Sequence, residues 1–95
     1  MQIRLYATLR QIAGTRELEI PVEVNQTVGD VLRTLVTRYP KLDEAIWHPD
    51  GSLAGHVAVI LSGRDIRHLS EVDTPVSEDD RLDVFPPVGG GAGVD

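Results

Sequence analysis

The stretch TVGDVLRTLVTRYP, residues 27–40, carries the clearest structural pattern in this chain. Its apolar side chains recur at intervals of three and four residues, at Val28, Val31, Leu32, Leu35, Val36 and Tyr39. Such spacing puts them on one face of an α-helix. Thr27 is suited to cap the N-terminus of this helix, Asp30 occupies the position of a capping-box partner, and Pro40 ends the helix. A helix with one apolar face needs a second layer of structure against which to bury it.

Strands are predicted on both sides of this helix. They cover residues 2–8, 18–22, 57–61, 64–67 and 82–85. The first two alternate apolar and polar side chains, whereas residues 57–61 form a continuous apolar run that predicts a central strand buried on both faces, or nearly so. Pro21 lacks a backbone donor and therefore indicates a sheet edge. Residues 9–13 predict one helical turn closed by Gly14. The order of these elements predicts an α+β fold in which one main helix covers a mixed sheet.

Length and composition limit the classes of protein to which the chain can belong. Ninety-five residues suffice for one domain, which we predict at residues 1–88, followed by a flexible glycine-rich tail at residues 89–95. The chain has no cysteine, which excludes disulfides and thiolate metal sites and agrees with a cytoplasmic protein. No stretch approaches the roughly 20 apolar residues of a membrane span. The net charge of −6 argues against nucleic acid as a partner, because phosphate binding requires clustered Lys and Arg.

Acidic residues are concentrated in one segment, at Glu71, Asp73, Glu78, Asp79, Asp80 and Asp83. This segment is either a solvated loop that keeps the protein soluble or a docking face for a basic partner. The histidines, His48, His56 and His68, have no carboxylate or thiolate neighbours at metal-ligand spacing, and the serines lie in no nucleophile motif. We therefore predict no metal site and no catalytic machinery in the chain itself.

The C-terminal segment GGGAGVD, residues 89–95, contains four glycines in seven residues. Composition alone allows an ordinary frayed terminus, because such a segment has high backbone entropy and nothing to bury. A phosphate-binding loop is excluded as an interpretation, since no helix follows to supply its N-terminal dipole. Pro86 and Pro87 cannot donate to a ladder, so they end the last strand and direct the tail away from the domain.

Several segments resemble the ThiS/MoaD-like, ubiquitin-like sulfur carriers, which include the small subunit of molybdopterin synthase. They are ATLRQIAG at residues 7–14, TVGDVL at 27–32, DTPV at 73–76, DD at 79–80 and FPPVGGG at 85–91. The last of these is the most specific, and the resemblance extends over residues 2–91. It implies a β-grasp fold, with a mixed sheet of four to five strands covered by one main helix.

The resemblance also implies a mechanism in which the chain is a substrate rather than an enzyme. A ubiquitin-activating-type partner uses ATP to adenylate a C-terminal glycine, and sulfur then replaces AMP to leave a thiocarboxylate. A sulfur-accepting synthase uses that sulfur for molybdopterin, thiamine, cysteine or thio-tRNA. On this basis Gly91 carries the thiocarboxylate, Gly90 precedes it in the diglycine, and the chain binds no cofactor of its own. The alternative is a ubiquitin-like modifier joined to lysines, or a binding module that is never thiolated.

Partner contacts are expected around the root of the tail. The predicted set comprises Tyr6, Phe85, Pro86, Pro87, Val88 and Gly89, with Tyr6 included by analogy with the family. In an alternating last strand Leu82 and Val84 face the helix, so Phe85 faces the other side of the sheet. There it either packs on the back of the sheet or presents an aromatic contact to the activating enzyme.

The chain departs from the family pattern beyond the diglycine, since Ala92, Gly93, Val94 and Asp95 follow Gly91. Three interpretations remain open. A processing metalloprotease removes the extension, the extended form is a relative that only binds partners, or the extra residues come from cloning or a gene variant.

Overall fold

The computed structural model describes residues 1–87. Strands are β1 (Gln2–Leu5), β2 (Glu17–Glu19), β3 (Ala58–Leu61), β4 (Arg64–Asp65) and β5 (Arg81–Phe85), and α-helices are α1 (Thr8–Ala13), α2 (Val28–Arg38) and α3 (Asp43–Ile46). Short 3₁₀ turns cover Pro40–Leu42, Ile66–His68 and Glu71–Asp73. The predicted domain boundary at residue 88 and the predicted tail lie outside the described residues. Within residues 1–87 no helix combines the length and apolar character needed to cross a membrane.

The five strands form one mixed sheet in the order β2-β1-β5-β3-β4. β1 and β5 run parallel, with Ile3 opposite Leu82 and Leu5 opposite Val84. The other neighbouring pairs are antiparallel. A parallel pair needs a long crossover, and here almost the whole domain, including α2, lies between the two strands. The first and last strands of the domain therefore lie side by side at the middle of the sheet.

Helix α2 forms where its apolar pattern and caps predict. The Thr27 hydroxyl accepts from the Asp30 backbone N–H at 3.3 Å, and the Asp30 carboxylate accepts from the Thr27 N–H at 3.0 Å, which completes the capping box. The helix ends at Arg38, two residues before Pro40, which disfavours helical geometry in the residue before it. The predicted turn before Gly14 is also confirmed, as α1, with Gly14 in the left-handed conformation at φ 77°.

The core lies between α2 and one face of the sheet. Its sheet side consists of Ile3, Leu5, Val59, Leu61, Leu82 and Val84, and its α2 side of Val28, Val31, Leu32 and Leu35, all buried. Each large apolar side chain taken out of water contributes roughly 1.5–3 kcal/mol, so burial of these residues makes a large favourable contribution to folding. On the opposite face, Arg4 is exposed and Ala58 and Ile60 are half-buried, so we call it the open face.

Two predicted strands are shorter than expected. β1 stops at Leu5 rather than residue 8, because Ala7 turns the chain with φ 51° and α1 begins at Thr8. The predicted strand at residues 64–67 is only two residues long. The Asp65 carboxylate accepts from the Arg67 N–H at 2.9 Å and turns the chain into a 3₁₀ helix. Bonds from Arg67 also lower the pKa of Asp65 to about 2.

Two other strand predictions were wrong in detail. The predicted strand at residues 18–22 is β2, which ends at Glu19, since Pro21 follows without a backbone donor. Residues 57–61 were predicted to form the central strand, but the centre is β5, and β3 lies beside it. Val59 and Leu61 of β3 are buried, whereas Ala58 and Ile60 are only half-buried on the open face.

Candidate functional site

The root of the tail is fixed by the central strand of the sheet. β5 is held on both sides, by β1 and by β3, and it runs directly into Pro86 and Pro87. Leu82 and Val84 lie in the core, and the half-buried Phe85 lies on the open face, as the alternation predicted. A tail leaving from this strand starts from the most firmly paired part of the sheet.

Tyr6 and Phe85 form an aromatic pair at this position. Their ring centroids are 4.1 Å apart and the ring planes differ by 14°, so the rings are stacked. The parallel register places Leu5 opposite Val84, and the Tyr6 N–H donates to the Val84 carbonyl at 3.2 Å, which brings the next two side chains side by side. Residues from opposite ends of the sequence, each predicted to contact a partner, thus share one surface.

Asp83, on the same face of the sheet, is hydrogen-bonded to the Tyr6 ring of this aromatic pair. It is 6% exposed, and its carboxylate accepts from the Tyr6 hydroxyl at 3.0 Å and from Arg81 Nε at 3.3 Å. A buried carboxylate is costly unless it is paired and hydrogen-bonded, and these two donors meet that need. The hydroxyl bond also anchors the far end of the Tyr6 ring that stacks on Phe85.

Asp83 was counted in an acidic segment predicted to be a solvated loop or a docking face, but it is buried within the strand predicted at residues 82–85. Asp83 lies within β5, two residues before Phe85 and therefore on the same face. The period-2 pattern that oriented Phe85 applies equally to Asp83 and contained the signal that was missed.

Two other acidic residues of the segment, Glu78 and Asp80, accept hydrogen bonds, most of them from residues distant in the sequence. Glu78 accepts from the Met1 amino group at 2.6 Å and from the Val22 N–H at 2.9 Å, and these bonds lower its pKa. Burial works to lower the pKa of the Met1 amino group, but bonds to Glu19 and Glu78 outweigh it and the pKa is raised. Asp80 accepts from the Ser62 hydroxyl and the Ser77 N–H, each at 2.8 Å. Part of this acidic segment therefore holds the fold together.

The remaining predicted site residues divide into two groups. Pro86 is half-buried and Pro87 is exposed at the end of β5. Val88, Gly89, Gly90 and Gly91 lie outside the described residues, and their roles stay predictions. In the described part of the chain no group of three or more His, Asp or Glu side chains is arranged to hold a metal ion.

A second concave region lies around Trp47. The guanidinium of Arg33 stacks over the Trp47 ring at 4.9 Å from its centroid, and an open groove of about 400 Å³ runs between α2 and the turn at residues 48–51. Trp47 is 9% exposed and pairs through Leu53 with the loop that follows it. This region is built by α2 and α3, whereas the aromatic pair is built by β1 and β5.

Known proteins match this chain over nearly its whole length. A sequence profile of the ThiS family matches residues 3–91. Small archaeal modifier protein 3 of Haloferax volcanii is 37% identical over 91 residues, which make up 96% of this chain and 98% of that protein. A protein of Archaeoglobus fulgidus with the provisional name of sulfur carrier protein is 30% identical, over 96% of this chain and 98% of its own length.

The structural comparison gives the same result. The crystal structure of SAMP1 from Haloferax volcanii superimposes with a TM-score of 0.85 and 33% sequence identity, covering 95% of this chain and 97% of that one. The predicted ubiquitin-like β-grasp fold, with one main helix on a mixed five-stranded sheet, is confirmed.

Proposed function

The chain belongs to the ThiS family, the family of small ubiquitin-like sulfur carriers and modifiers, and from this premise we propose that it is a sulfur carrier activated at Gly91. One observation carries the proposal: the match to the family ends at residue 91, on the second glycine of Gly90-Gly91, and leaves four residues beyond it. This supports the proposal that Gly91, rather than Asp95, is the functional end of the molecule.

The proposed chemistry needs a partner enzyme. A free carboxylate is a poor electrophile, so the Gly91 carboxylate attacks the α-phosphate of ATP, and pyrophosphate leaves. A persulfide sulfur carried by a donor then attacks the acyl adenylate and expels AMP. An external dithiol reduces the resulting acyl disulfide, which leaves a C-terminal thiocarboxylate, returns the donor as a thiol and oxidises the dithiol to a disulfide. The partner binds ATP, and this chain supplies the terminus.

Glycine suits both diglycine positions. A segment that passes through a narrow channel to reach ATP cannot carry bulky side chains, and glycine can adopt backbone angles closed to other residues. Phe85 and Tyr6 support the proposal from the folded domain. A rigid, half-exposed aromatic pair at the root of the tail is the kind of feature that dominates binding energy at protein interfaces.

Activation at Gly91 requires removal of residues 92–95. The proposed step is hydrolysis of the peptide bond between Gly91 and Ala92 by a metalloprotease, which leaves a new carboxylate on Gly91. The thiocarboxylate is then consumed by a sulfur-accepting synthase in the cytoplasm, in the biosynthesis of molybdopterin, thiamine, cysteine or thio-tRNA.

A second candidate function is protein modification. The names of the modifier proteins from Haloferax volcanii favour it. It uses the same adenylated Gly91, but a lysine amine of another protein attacks in place of sulfur, and the product is an isopeptide bond with release of AMP.

Intact-mass spectrometry of the protein purified from its native cells tests the proposal. We expect a chain ending at Gly91, with a fraction heavier by the exchange of one oxygen for sulfur. Gly91→Ala should abolish that species, whereas the matched variant Gly93→Ala should not, because residue 93 is discarded. An adduct joined through Gly91 to lysine would favour the modifier. Only molecules ending at Asp95 would contradict both functions.

A further inference from the structure

A basic cleft opens beside the aromatic pair. It has a volume of about 230 Å³ and is lined by Arg4, Leu5, Tyr6, Arg10, Arg16 and Glu17. Tyr6 belongs to both features, since its ring stacks on Phe85 and also borders the cleft. The arginine cleft, as we call it, is therefore continuous with the root of the tail.

The charge of the arginine cleft is opposite to that of the molecule. Three arginines and one glutamate give it a formal charge of +2, while the whole chain carries −6. Arg4 pairs with Glu17 at 3.3 Å. Within residues 1–87, neither Arg10 nor Arg16 lies within 4.0 Å of a carboxylate. Two positive charges are thus left for an external partner.

Arg10 is already ordered for such a contact. Its Nε donates to the Leu5 carbonyl at 3.3 Å, and its guanidinium carbon lies 5.9 Å from the centroid of the Tyr6 ring. Only Nε is used, so the two terminal nitrogens remain for the paired bonds that a guanidinium makes with a carboxylate. A side chain held in this way loses less entropy on binding than a free arginine.

We infer that the arginine cleft binds carboxylate side chains on the surface of the adenylating enzyme. The inference rests on the proposed function and names the partner's chemistry at the same site. Because the rest of the chain is acidic, a polyanion such as nucleic acid would be repelled, whereas a few carboxylates opposite the cleft would orient the protein with its aromatic pair and tail toward the enzyme.

Steady-state adenylation kinetics test this inference. The substrate is the chain ending at Gly91, which retains all the described residues, and the enzyme is its cognate activator. The test variant is Arg10→Gln with Arg16→Gln. The matched control, Lys41→Gln with Arg64→Gln, removes the same charge from exposed positions that do not line the cleft. Melting temperatures of both variants show whether each is folded.

We expect KM of the test variant to rise about tenfold at low salt, with kcat unchanged, because steering affects encounter rather than chemistry. Raising the salt concentration should bring the test variant and the wild type together, since exposed charges are screened. Arg10→Lys with Arg16→Lys should recover only part of the loss, because lysine restores the charge but not the paired bonds of a guanidinium.

Three results would overturn the inference. The test variant could match the wild type, both double variants could lose activity equally, or the loss could persist unchanged at high salt. Saturable binding of inorganic phosphate to the wild type but not to the test variant, with no change in KM, would show a small-anion site instead. If the wild type itself were not adenylated, the proposed function would also be wrong. Failure of the proposed function is therefore seen in the wild type, whereas failure of the cleft inference is seen only in the variants.

Discussion

Tyr6→Phe separates the two roles of the aromatic pair, because it removes one hydroxyl and keeps both rings. The hydroxyl donates to the buried Asp83 at 3.0 Å, and the other bond of that carboxylate, from Arg81, measures 3.3 Å. A hydrogen bond to a charged group contributes about 1.5–3 kcal/mol. Because the open face admits some water, we expect a loss near the lower end, about 1.5 kcal/mol. For a domain of this size that is roughly a 6–12 °C fall in Tm.

Urea denaturation and thermal melting measure this loss, and a double-mutant cycle with Asp83→Asn assigns it. In the Asp83→Asn background the same Tyr6→Phe change should cost markedly less, since the buried charge is gone. The phenylalanine ring can still stack on Phe85, so KM for adenylation should stay within about twofold of the wild type. A loss of under about 0.5 kcal/mol, or no coupling to Asp83, would refute the view that this bond satisfies a buried carboxylate.

Three further predictions concern the surface and the scaffold. Phe85→Ala should raise KM for adenylation at least about tenfold, as expected for an interface hot spot, while Phe85→Tyr retains function; equal kinetics for all three proteins would contradict this. Thr27→Ala should lower the free energy of unfolding by about 1 kcal/mol, measured with urea, and Thr27→Ser by much less. Glu78→Gln should lower Tm most between pH 4.5 and 8.0. The ion pair between Glu78 and the Met1 amino group stabilises the fold in this range. Because the pKa of Glu78 is lowered on folding, this stabilisation is lost as pH falls below 4.5 and the carboxylate is protonated. Because the pKa of the Met1 amino group is raised, it is lost as pH rises above 8.0 and the amino group loses its proton. A Tm difference from the wild type that does not change with pH would count against this pairing.

Local interactions made the main helix predictable. Thr27 and Asp30 bond within a single turn, and the apolar face of α2 repeats with the helical period. Both features depend only on residues three or four positions apart, so the local sequence was enough to predict them. Phe85 could be oriented for a similar reason, because alternate residues of any strand lie on opposite faces.

Contacts between distant segments could not be predicted in this way. The stacking of Tyr6 on Phe85 depends on the parallel pairing of β1 with β5, and no pattern within either strand specifies its neighbour. Because β1 pairs with β5, the central strand is β5 and not the strand predicted at residues 57–61. The length of β4 was missed for another reason, since the Asp65 side chain competes with the ladder for the backbone of Arg67.

The parallel pairing of β1 and β5 also determines how the domain resists mechanical force. An enzyme that draws the tail into its active site pulls on the C-terminal end of β5, and a load held at the start of β1 acts at the opposite end of the same ladder. The force then runs along the two strands and shears all their hydrogen bonds together, instead of opening them one by one. Because forced unfolding depends on the rate at which that ladder breaks, we expect the domain to resist unfolding while its C-terminal end is pulled.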